Sequence, residues 1–407
     1  MIWREIRLTV RSARRRDYVQ RVTTRRCDIV DADSPGTYHC ISRCVRRTSL
    51  LDDPKRRAWI VSRLAFLSEF MAIDVVSFAI MRNHIHLLLT TRPEIVARWT
   101  DREVAMRRTA LLPNQRWRKK HGVPRDAEPS ETEIESMLLD RPRLSRARRE
   151  LSTLGLFHRL LKEPCARAWN REEHVTGHFW EGRFKSPKVL DMQGLLQVAQ
   201  YVELNEVHAC VASSISSSQW TSASRQWRRL YNLVEKMLQS TDRGPEELAR
   251  KISRFAWEPA FPCRISPLTE FQQVQTPRGT TERKVSAGLA TGCEIPSLAS
   301  YLALLDRNGR RQRPDKPGWI PRWEPDPLRV LFDGILNNLG VDQRPNPIRV
   351  RSLEAQLRRV TVPSISTAKN FPSSRGSCYG SEESMRREAC RRGRRWLWRG
   401  IRSHVAA

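Results

Sequence analysis

The sequence predicts an α+β fold, in which helices cover a central antiparallel sheet and a mainly helical accessory region follows. Strand-like alternation of apolar and polar residues in residues 37–47, together with a hairpin pattern in 73–90, predicts the sheet. Apolar residues at helical spacing in the segments that follow predict the helices. A chain of 407 residues exceeds one compact domain, so we expect two or three units.

The predicted domain begins with a strand, a helix and a β-hairpin, in this order along the chain. The run TYHCISRCVRR alternates as a strand does, and DDPKRRAWIVSRLAFLSEFMA has an acidic start, Pro54 near its first turn and helical spacing. IDVVSFAIM is rich in β-branched and aromatic residues, MRN can make a tight turn, and HIHLLLT resumes as a strand. Residues 73–90 are therefore predicted to form a β-hairpin.

The central part of the chain predicts an insertion and then a return to the same domain. Residues from about 100 to 150 are polar, charged and contain four prolines, which indicates short helices and loops. Residues 151–174 have helical spacing, and GHFWEGRFKSPKVL looks extended. DMQGLLQVAQYVELNEVHA is predicted to be an amphipathic helix capped by Asp191.

Changes of composition divide the chain into four parts. We expect a basic N-terminal arm (1–33), a main domain (34–212), a helical accessory region (219–340) and a basic, partly disordered C-terminal tail (341–407), with Ser-rich SSISSSQWTS after the main domain. The tail interleaves arginines with two indoles, which suits contact with a nucleic-acid backbone and bases or, equally, a solvated face with both indoles packed inward. Its residues are Arg391, Arg392, Arg394, Arg395, Trp396, Trp398 and Arg399.

Charge and composition narrow the class of protein. Lys and Arg number 73 against 44 Asp and Glu, a net charge of +29, which indicates a polyanion partner or a heavily solvated surface. No run approaches the roughly 20 apolar residues of a membrane span, and the charged start is unlike a signal peptide, so we expect a cytoplasmic protein without a membrane partner. Nine scattered cysteines argue against a disulfide scaffold, and Cys40 and Cys44 are expected to be buried thiols.

His84 and His86 are the most informative residues. Side chains two apart on a strand project from the same face, so both imidazoles point together, at a separation that one divalent ion can bridge. Ile85, Leu87 and Leu89 point the other way and can anchor the strand in the core. Taken alone, such a pair is more often simply hydrogen-bonded, so metal binding stays open at this point.

Tyr201 and Asn205 form the second feature. They lie four apart near the end of the predicted amphipathic helix and share a face. A tyrosine in this position is ordinarily a core or interface aromatic residue. Together with the histidines, however, the pair supplies a hydroxyl nucleophile and an amide oxygen, which is the inventory for metal-assisted transesterification of a phosphodiester.

Four segments, in order, resemble the HUH single-tyrosine transposases, which include the REP-associated tyrosine transposases and the insertion sequence 200-like elements. YHCISRCVRR is similar to the family's opening strand, and FAIMRNHIHLLL to its histidine-hydrophobic-histidine strand. GHFWEGRFKSPKVLD resembles the segment before the nucleophile helix, and QYVELN the helix that bears the tyrosine. The resemblance spans about residues 37–212.

The resemblance implies a ferredoxin-like HUH domain and a role for each matched residue. His84 and His86 would bind Mg²⁺ or Mn²⁺, Asn205 would stand where the family has an amide-bearing ligand, and Glu203 is a weaker candidate ligand. Tyr201 would attack DNA and form a 5′-phosphotyrosine. A 3′-hydroxyl from another strand could reverse this step without ATP, and the sequence contains no Walker loop.

The implied partner is single-stranded or hairpin DNA, and the sequence leaves open whether the site is built in one chain or shared in a homodimer. Basic and aromatic residues in or beside the matched segments are the expected contacts with the strand. Each arginine could instead be a solvated charge, and the tryptophan could be core. They are Arg43, Arg46, Arg47, Arg82, Trp180, Arg183 and Lys185.

The segment after the tyrosine departs from the family pattern. Where the family usually has Asn-Pro-x-Arg-Ala, this chain has Asn205-Glu206-Val207-His208-Ala209, which lacks the helix-ending proline and a basic residue able to meet phosphate. This departure leaves open a second function, that of a domesticated protein that binds DNA hairpins without cutting them. The Arg and Trp residues of the tail leave open a third, that of a basic RNA-binding regulatory protein.

Overall fold

The computed structural model describes residues 29–31, 33–124, 126–239, 260, 274–276, 279–281, 297–330 and 378–393. Most of the predicted basic arm and much of the predicted tail, including Arg394, Arg395, Trp396, Trp398 and Arg399, lie outside these residues. Within the described ranges, no helix has the length and apolar character needed to cross a membrane.

A five-stranded sheet forms the centre of the fold, with strand order β2-β3-β1-β4-β7. The first four strands in this order pair antiparallel, and β7 joins β4 in parallel. Strands β5 and β6 form a separate antiparallel pair. The strands are β1 (Gly36–Arg43), β2 (Ile73–Ile80), β3 (His84–Thr91), β4 (Lys188–Val189), β5 (Val274–Thr276), β6 (Gly279–Thr281) and β7 (Cys378–Tyr379).

Helices follow and cover the sheet. The helices are α1 (Pro54–Phe70), α2 (Pro93–Val96), α3 (Asp101–Leu111), α4 (Gln115–Lys120), α5 (Glu131–Leu139), α6 (Arg141–Glu150), α7 (Leu154–Glu172), α8 (Met192–Glu203), α9 (Asn205–His208), α10 (Ser222–Gln239), α11 (Leu298–Gly309) and α12 (Glu382–Arg391). The predicted α+β class is confirmed: a mainly antiparallel sheet with helices, followed by a helical region. The domain limits at 34–212 and 219–340 stay a prediction.

Local chemistry starts the helices where the sequence predicts. Asp53 caps α1 by accepting a hydrogen bond from the Lys55 amide at 2.8 Å, and Pro54 occupies the first turn. Asp191 caps α8 in the same way, through the Gly194 amide at 2.8 Å. The predicted insertion consists of helices α3 to α6, and Arg118 and Glu133 form an ion pair in its interior.

The two faces of the sheet pack against two different apolar clusters. Tyr38, Cys40, Ile85, Leu87 and Leu89 lie in one apolar cluster with side chains of α1 and α7. Cys44 is also buried there, so both cysteines of the first strand region are in the core, as predicted. The opposite face packs against α8 in a second cluster, which includes apolar residues of α10 and α11.

Residues 378–393 occupy a place that the sequence did not predict. The sequence assigns them to the tail, whereas the structure places Cys378 and Tyr379 in the sheet, opposite Lys188 and Val189. The Ser381 amide also donates to the Asp191 carboxylate at 2.7 Å, so this segment is tied to the first turn of α8. A strand of two residues carries too little periodicity to be recognised along the chain.

Candidate active site

The two histidines of β3 lie side by side. In the ladder between β1 and β3, His84 faces Arg43 and His86 faces Ile41. The imidazole ring centroids of His84 and His86 are 4.8 Å apart, with the rings nearly perpendicular. The alternation of the strand therefore brings both rings together on the face that packs against α8.

A third histidine belongs to this cluster. His39 Nε2 lies 2.9 Å from His86 Nδ1, and His39 Nδ1 lies 3.3 Å from the Tyr379 hydroxyl. Among the described residues, the other ring nitrogen of His86, Nε2, is buried and has no hydrogen-bond partner. An imidazole held through one nitrogen, with the second nitrogen otherwise unused, is the usual arrangement of a metal-binding histidine.

All three imidazoles are neutral at ordinary pH. Burial lowers the pKa of His39 to about 3. Burial and the positive charge of Arg43 lower the pKa of His84 to about 4, and burial holds the pKa of His86 well below its usual range. A neutral imidazole keeps one nitrogen lone pair, which a metal ligand requires.

Tyr201 reaches the histidines from α8. Its ring centroid lies 5.5 Å from that of His86 and 6.0 Å from that of His39, in edge-on contact with both. Lys316 Nζ lies over the Tyr201 ring, 5.4 Å from its centroid. Burial raises the pKa of Tyr201, while the positive charges of Arg43 and Arg313 act in the opposite direction.

Asn205 follows α8 and is buried one turn beyond Tyr201. Its amide nitrogen donates to the main-chain oxygen of Tyr201 at 2.8 Å and to that of Val202 at 3.3 Å, which fixes the side chain against its own helix. The amide oxygen is the atom of this side chain that can act as a metal ligand. Among the described residues, no group of three His, Cys, Asp or Glu side chains is arranged to hold a metal ion.

Glu203 accepts hydrogen bonds from the start of α10. One carboxylate oxygen accepts from the Ser222 hydroxyl and the other from the Ala223 amide at 2.9 Å, at the start of α10. Burial raises the pKa of Glu203 to about 8, against the effect of these hydrogen bonds. Glu203, the weaker of the candidate ligands that the resemblance implied, therefore connects α8 to the start of α10.

The predicted DNA contacts are side chains that are at least partly exposed, with one exception. Arg43 ends β1 opposite His84, Arg46 and Arg47 follow it and are exposed, and exposed Arg82 lies in the turn before β3. Exposed Lys185 pairs with Ile41 of β1, which places it along the same strand. The last of these candidates, Arg183, is also exposed.

The exception is Trp180. It is buried, its indole nitrogen donates to the main-chain oxygen of Lys162 at 3.2 Å, and Lys162 Nζ lies over its ring. The ring packs in the apolar cluster with α7 and Phe179. This corrects the expectation that Trp180 stacks on a base, because its faces are covered by protein.

The two residues after Asn205 that differ from the family pattern, Glu206 and His208, also lie inside the protein. Glu206 is buried and accepts from the Trp220 amide at 3.4 Å. His208 is buried, and among the described residues neither of its ring nitrogens has a hydrogen-bond partner. Helix α8 ends at Glu203 without a proline, and one further turn, α9, follows. Both replacements therefore shape the interior of the protein.

Sequence reasoning missed His39, Lys316 and Tyr379. His39 had a usable signal, because it alternates with Ile41 and Arg43 along a predicted strand and so shares a face with them. Lys316 and Tyr379 had none, since each reaches the site from a segment far away along the chain.

Comparison with known proteins gives little beyond this geometry. No protein-family model matches the sequence, and no curated protein matches it. One solved structure, a REP-associated tyrosine transposase bound to a REP hairpin, overlaps with 48% of this chain and 80% of its own, at 10% sequence identity and a TM-score of 0.25. So low a TM-score adds no weight, and the assignment of function rests on the residues of the site.

Proposed function

We propose that this protein is an HUH-type transposase that nicks and rejoins single-stranded or hairpin DNA through a 5′-phosphotyrosine at Tyr201. One observation carries the proposal: the Tyr201 ring lies 5.5 Å from the ring of His86, which has His84 beside it. The Nε2 atom of His86 is buried and has no hydrogen-bond partner within the ranges that the structure describes. A phenol and two neutral imidazoles so placed are the groups that metal-assisted phosphodiester transfer requires.

The cofactor that we propose for this site is a divalent ion, Mg²⁺ or Mn²⁺. Its ligands would be the imidazoles of His84 and His86 and the amide oxygen of Asn205, in keeping with a His86 Nε2 that no group in the described part of the chain bonds to. When bound, such an ion polarises the scissile phosphate and offsets the charge on its oxygens.

The side chains of the protein supply the remaining chemistry. The Tyr201 oxygen forms a bond to phosphorus while the bond between phosphorus and the 3′ oxygen breaks, and the proton released by the phenol is balanced by the one that the 3′-hydroxyl gains. Positive charge from Arg43 and Arg313 favours the phenolate, against the effect of burial. Attack by a 3′-hydroxyl reverses the step and joins two strands.

The surface beside the site supports a nucleic-acid substrate. Arg46, Arg47 and Arg82 are exposed close to the histidine pair, and the chain carries a net charge of +29. Because single-stranded DNA presents its phosphates to such side chains, these arginines would hold the strand next to Tyr201.

The structure weakens the argument for the alternative function, in which the protein binds hairpins without cutting them. It rested on the replacement of a proline and a basic residue by Glu206 and His208, and both are buried. The RNA-binding rival rested on the Arg and Trp residues of the tail. Of these, the described Arg391 and Arg392 are paired with Glu388.

The direct test is a covalent adduct. The protein is incubated with Mn²⁺ and labelled DNA hairpins that carry unpaired flanks, and protein-linked label is measured on a denaturing gel. We expect an adduct that Tyr201→Phe reduces by at least about 10³-fold, because phenylalanine keeps the ring and removes the nucleophile.

Tyr231→Phe is the matched control, since Tyr231 stacks on Trp227 in α10 and has no part in the site. It should form the adduct as the unaltered protein does. If a broad panel of hairpins gives no adduct, or if Tyr201→Phe still forms one, the proposed chemistry is wrong.

A further inference from the structure

A loop beyond α11 runs past the proposed nucleophile. Residues 310–324, called here the 310–324 loop, place Lys316 Nζ over the Tyr201 ring at 5.4 Å. Arg313, three residues earlier, acts electrostatically on Tyr201 and on His208. The helical region thus contributes directly to the surroundings of a residue in the preceding α8.

The loop is held firmly against α9. The Gly318 amide donates to the main-chain oxygen of His208 at 3.3 Å. A Cβ atom on Gly318 would lie 2.0 Å from the main-chain oxygen of Val207, so only glycine permits this approach. The centre of the loop is therefore fixed close to the helix that continues from Tyr201.

Arg310 closes the loop at its base. Its guanidinium donates to the main-chain oxygens of Pro321 and Glu324, both at 2.9 Å, and is held by Asp306. The Ile320 amide also donates to the main-chain oxygen of Gly309 at 2.8 Å. These contacts give the second half of the loop a defined backbone, so its side chains are presented in fixed places.

Two indoles on this rigid loop face solvent. Trp319 is 42% exposed and Trp323 is 84% exposed. Within the described residues the other exposed large apolar side chains are Leu139, Val175 and Val211, and none of these is aromatic. The 310–324 loop also includes five basic residues and two acidic residues. Exposed aromatic rings between positive charges are the arrangement by which proteins hold single strands.

We propose that Trp319 and Trp323 form a stacking platform for unpaired bases of the DNA strand that runs to Tyr201, with Lys316 on a neighbouring phosphate. Trp319 is three residues from Lys316, so their Cα atoms are at most about 11 Å apart, and both belong to the loop that reaches the Tyr201 ring. This inference rests on the proposed function, because it concerns the same strand. It assigns contact with the unpaired flank to two residues outside the proposed catalytic set.

The test measures binding without chemistry. In a Tyr201→Phe background, fluorescence anisotropy compares a blunt DNA hairpin with the same hairpin bearing an unpaired tail of several nucleotides. The double variant Trp319→Ala/Trp323→Ala should bind the tailed hairpin at least about tenfold more weakly, while its affinity for the blunt hairpin changes less than about twofold. Trp319→Tyr/Trp323→Tyr, which keeps aromatic faces, should retain most of the affinity for the tail.

Leu139→Ala is the matched control for loss of an exposed apolar side chain, since Leu139 is 85% exposed on the predicted insertion. It should leave both affinities unchanged. Equal binding of the tailed hairpin by the alanine double variant and its parent would overturn the platform, as would an equal loss on both hairpins.

The two proposals fail separately. If an adduct forms at Tyr201 and the tailed hairpin binds equally well without both indoles, the platform is wrong and the proposed function stands. Tail binding that depends on the indoles, without any adduct, would support the platform and count against the chemistry.

Discussion

Strand β3 presents two different surfaces to the protein. On one face Leu87 and its neighbours Ile85 and Leu89 are fully buried among apolar residues of α1 and α7. On the other face His86 contacts His39 and Tyr201, and its Nε2 is buried without a hydrogen-bond partner among the described residues. One face lowers the free energy of the folded state through burial, whereas the other retains a polar atom at an energetic cost.

The difference separates stability from chemistry along a single strand. Because alternate residues point to opposite faces, a change at one position should act on folding and a change at the next on the site. Adjacent substitutions therefore provide well-matched pairs for testing the assignment.

The largest effect is expected from His86→Ala. We expect its affinity for Mn²⁺ to fall by more than about 100-fold, because the change removes a proposed imidazole ligand. Loss of a group that only supports a ligand by a hydrogen bond already lowers metal affinity by about 10- to 100-fold. Isothermal titration calorimetry with Mn²⁺ alone measures this without DNA or catalysis.

Leu87→Ala, one residue away, is the control on the opposite face. It should lower the free energy of unfolding by about 2–5 kcal/mol and leave the Mn²⁺ affinity of the folded protein within about twofold. Comparable losses of Mn²⁺ affinity in both variants would show that the two faces are not independent.

A smaller effect is expected from Tyr379→Phe, which removes the hydroxyl that contacts His39. Because His39 in turn contacts His86, the change should weaken Mn²⁺ binding about tenfold by loosening the orientation of the ring. Tyr38→Phe removes a hydroxyl from the apolar face, where it accepts from the Asp31 amide, and should leave the affinity unchanged. Identical affinities in the two variants would exclude this support.

The smallest effect concerns α12, which follows Tyr379. Burial alone would raise the pKa of Glu388, but hydrogen bonds from Arg391 and Arg392 lower it to about 2. A lowered folded-state pKa stabilises the protein above about pH 4.5, and this contribution is lost as the pH falls from there towards 2. Glu388→Gln should therefore destabilise the protein by about 1–2 kcal/mol at pH 6, and by less at pH 3.5.

Urea unfolding at the two pH values measures this difference. Glu382→Gln is the control, because Glu382 lies on the same helix in an exposed pair with Arg386, which should contribute little. A deficit of Glu388→Gln that is the same at both pH values would contradict the stated cause.

Local patterns were sufficient for much of the fold and for part of the candidate site. Alternation and turn residues predicted the hairpin now seen as β2 and β3, and capping chemistry predicted the starts of α1 and α8. His84, His86 and Tyr201 were selected from strand and helix spacing and from a resemblance, and the structure places their rings in contact. Their roles as ligands and nucleophile stay predictions.

The remainder depends on contacts that no local pattern records. Burial of Trp180 depends on how α7 packs over it, and the occupation of Glu203 depends on where α10 begins. Tyr379 and Lys316 reach the site only through the tertiary fold. Such residues carry no periodic signal of their own, so propensity and spacing could not identify them.

The pairing of β7 with β4 has a consequence for synthesis on the ribosome. Tyr379 lies 340 residues after His39, and both Tyr379 and Ser381 meet groups made much earlier, His39 and the Asp191 cap of α8. A nascent chain that has passed Asn205 already possesses every proposed ligand and the proposed nucleophile, yet lacks the hydroxyl that contacts His39. Translation that stops before residue 378 would therefore release a chain that contains all the residues of the proposed site but lacks the tyrosine that holds His39 in place.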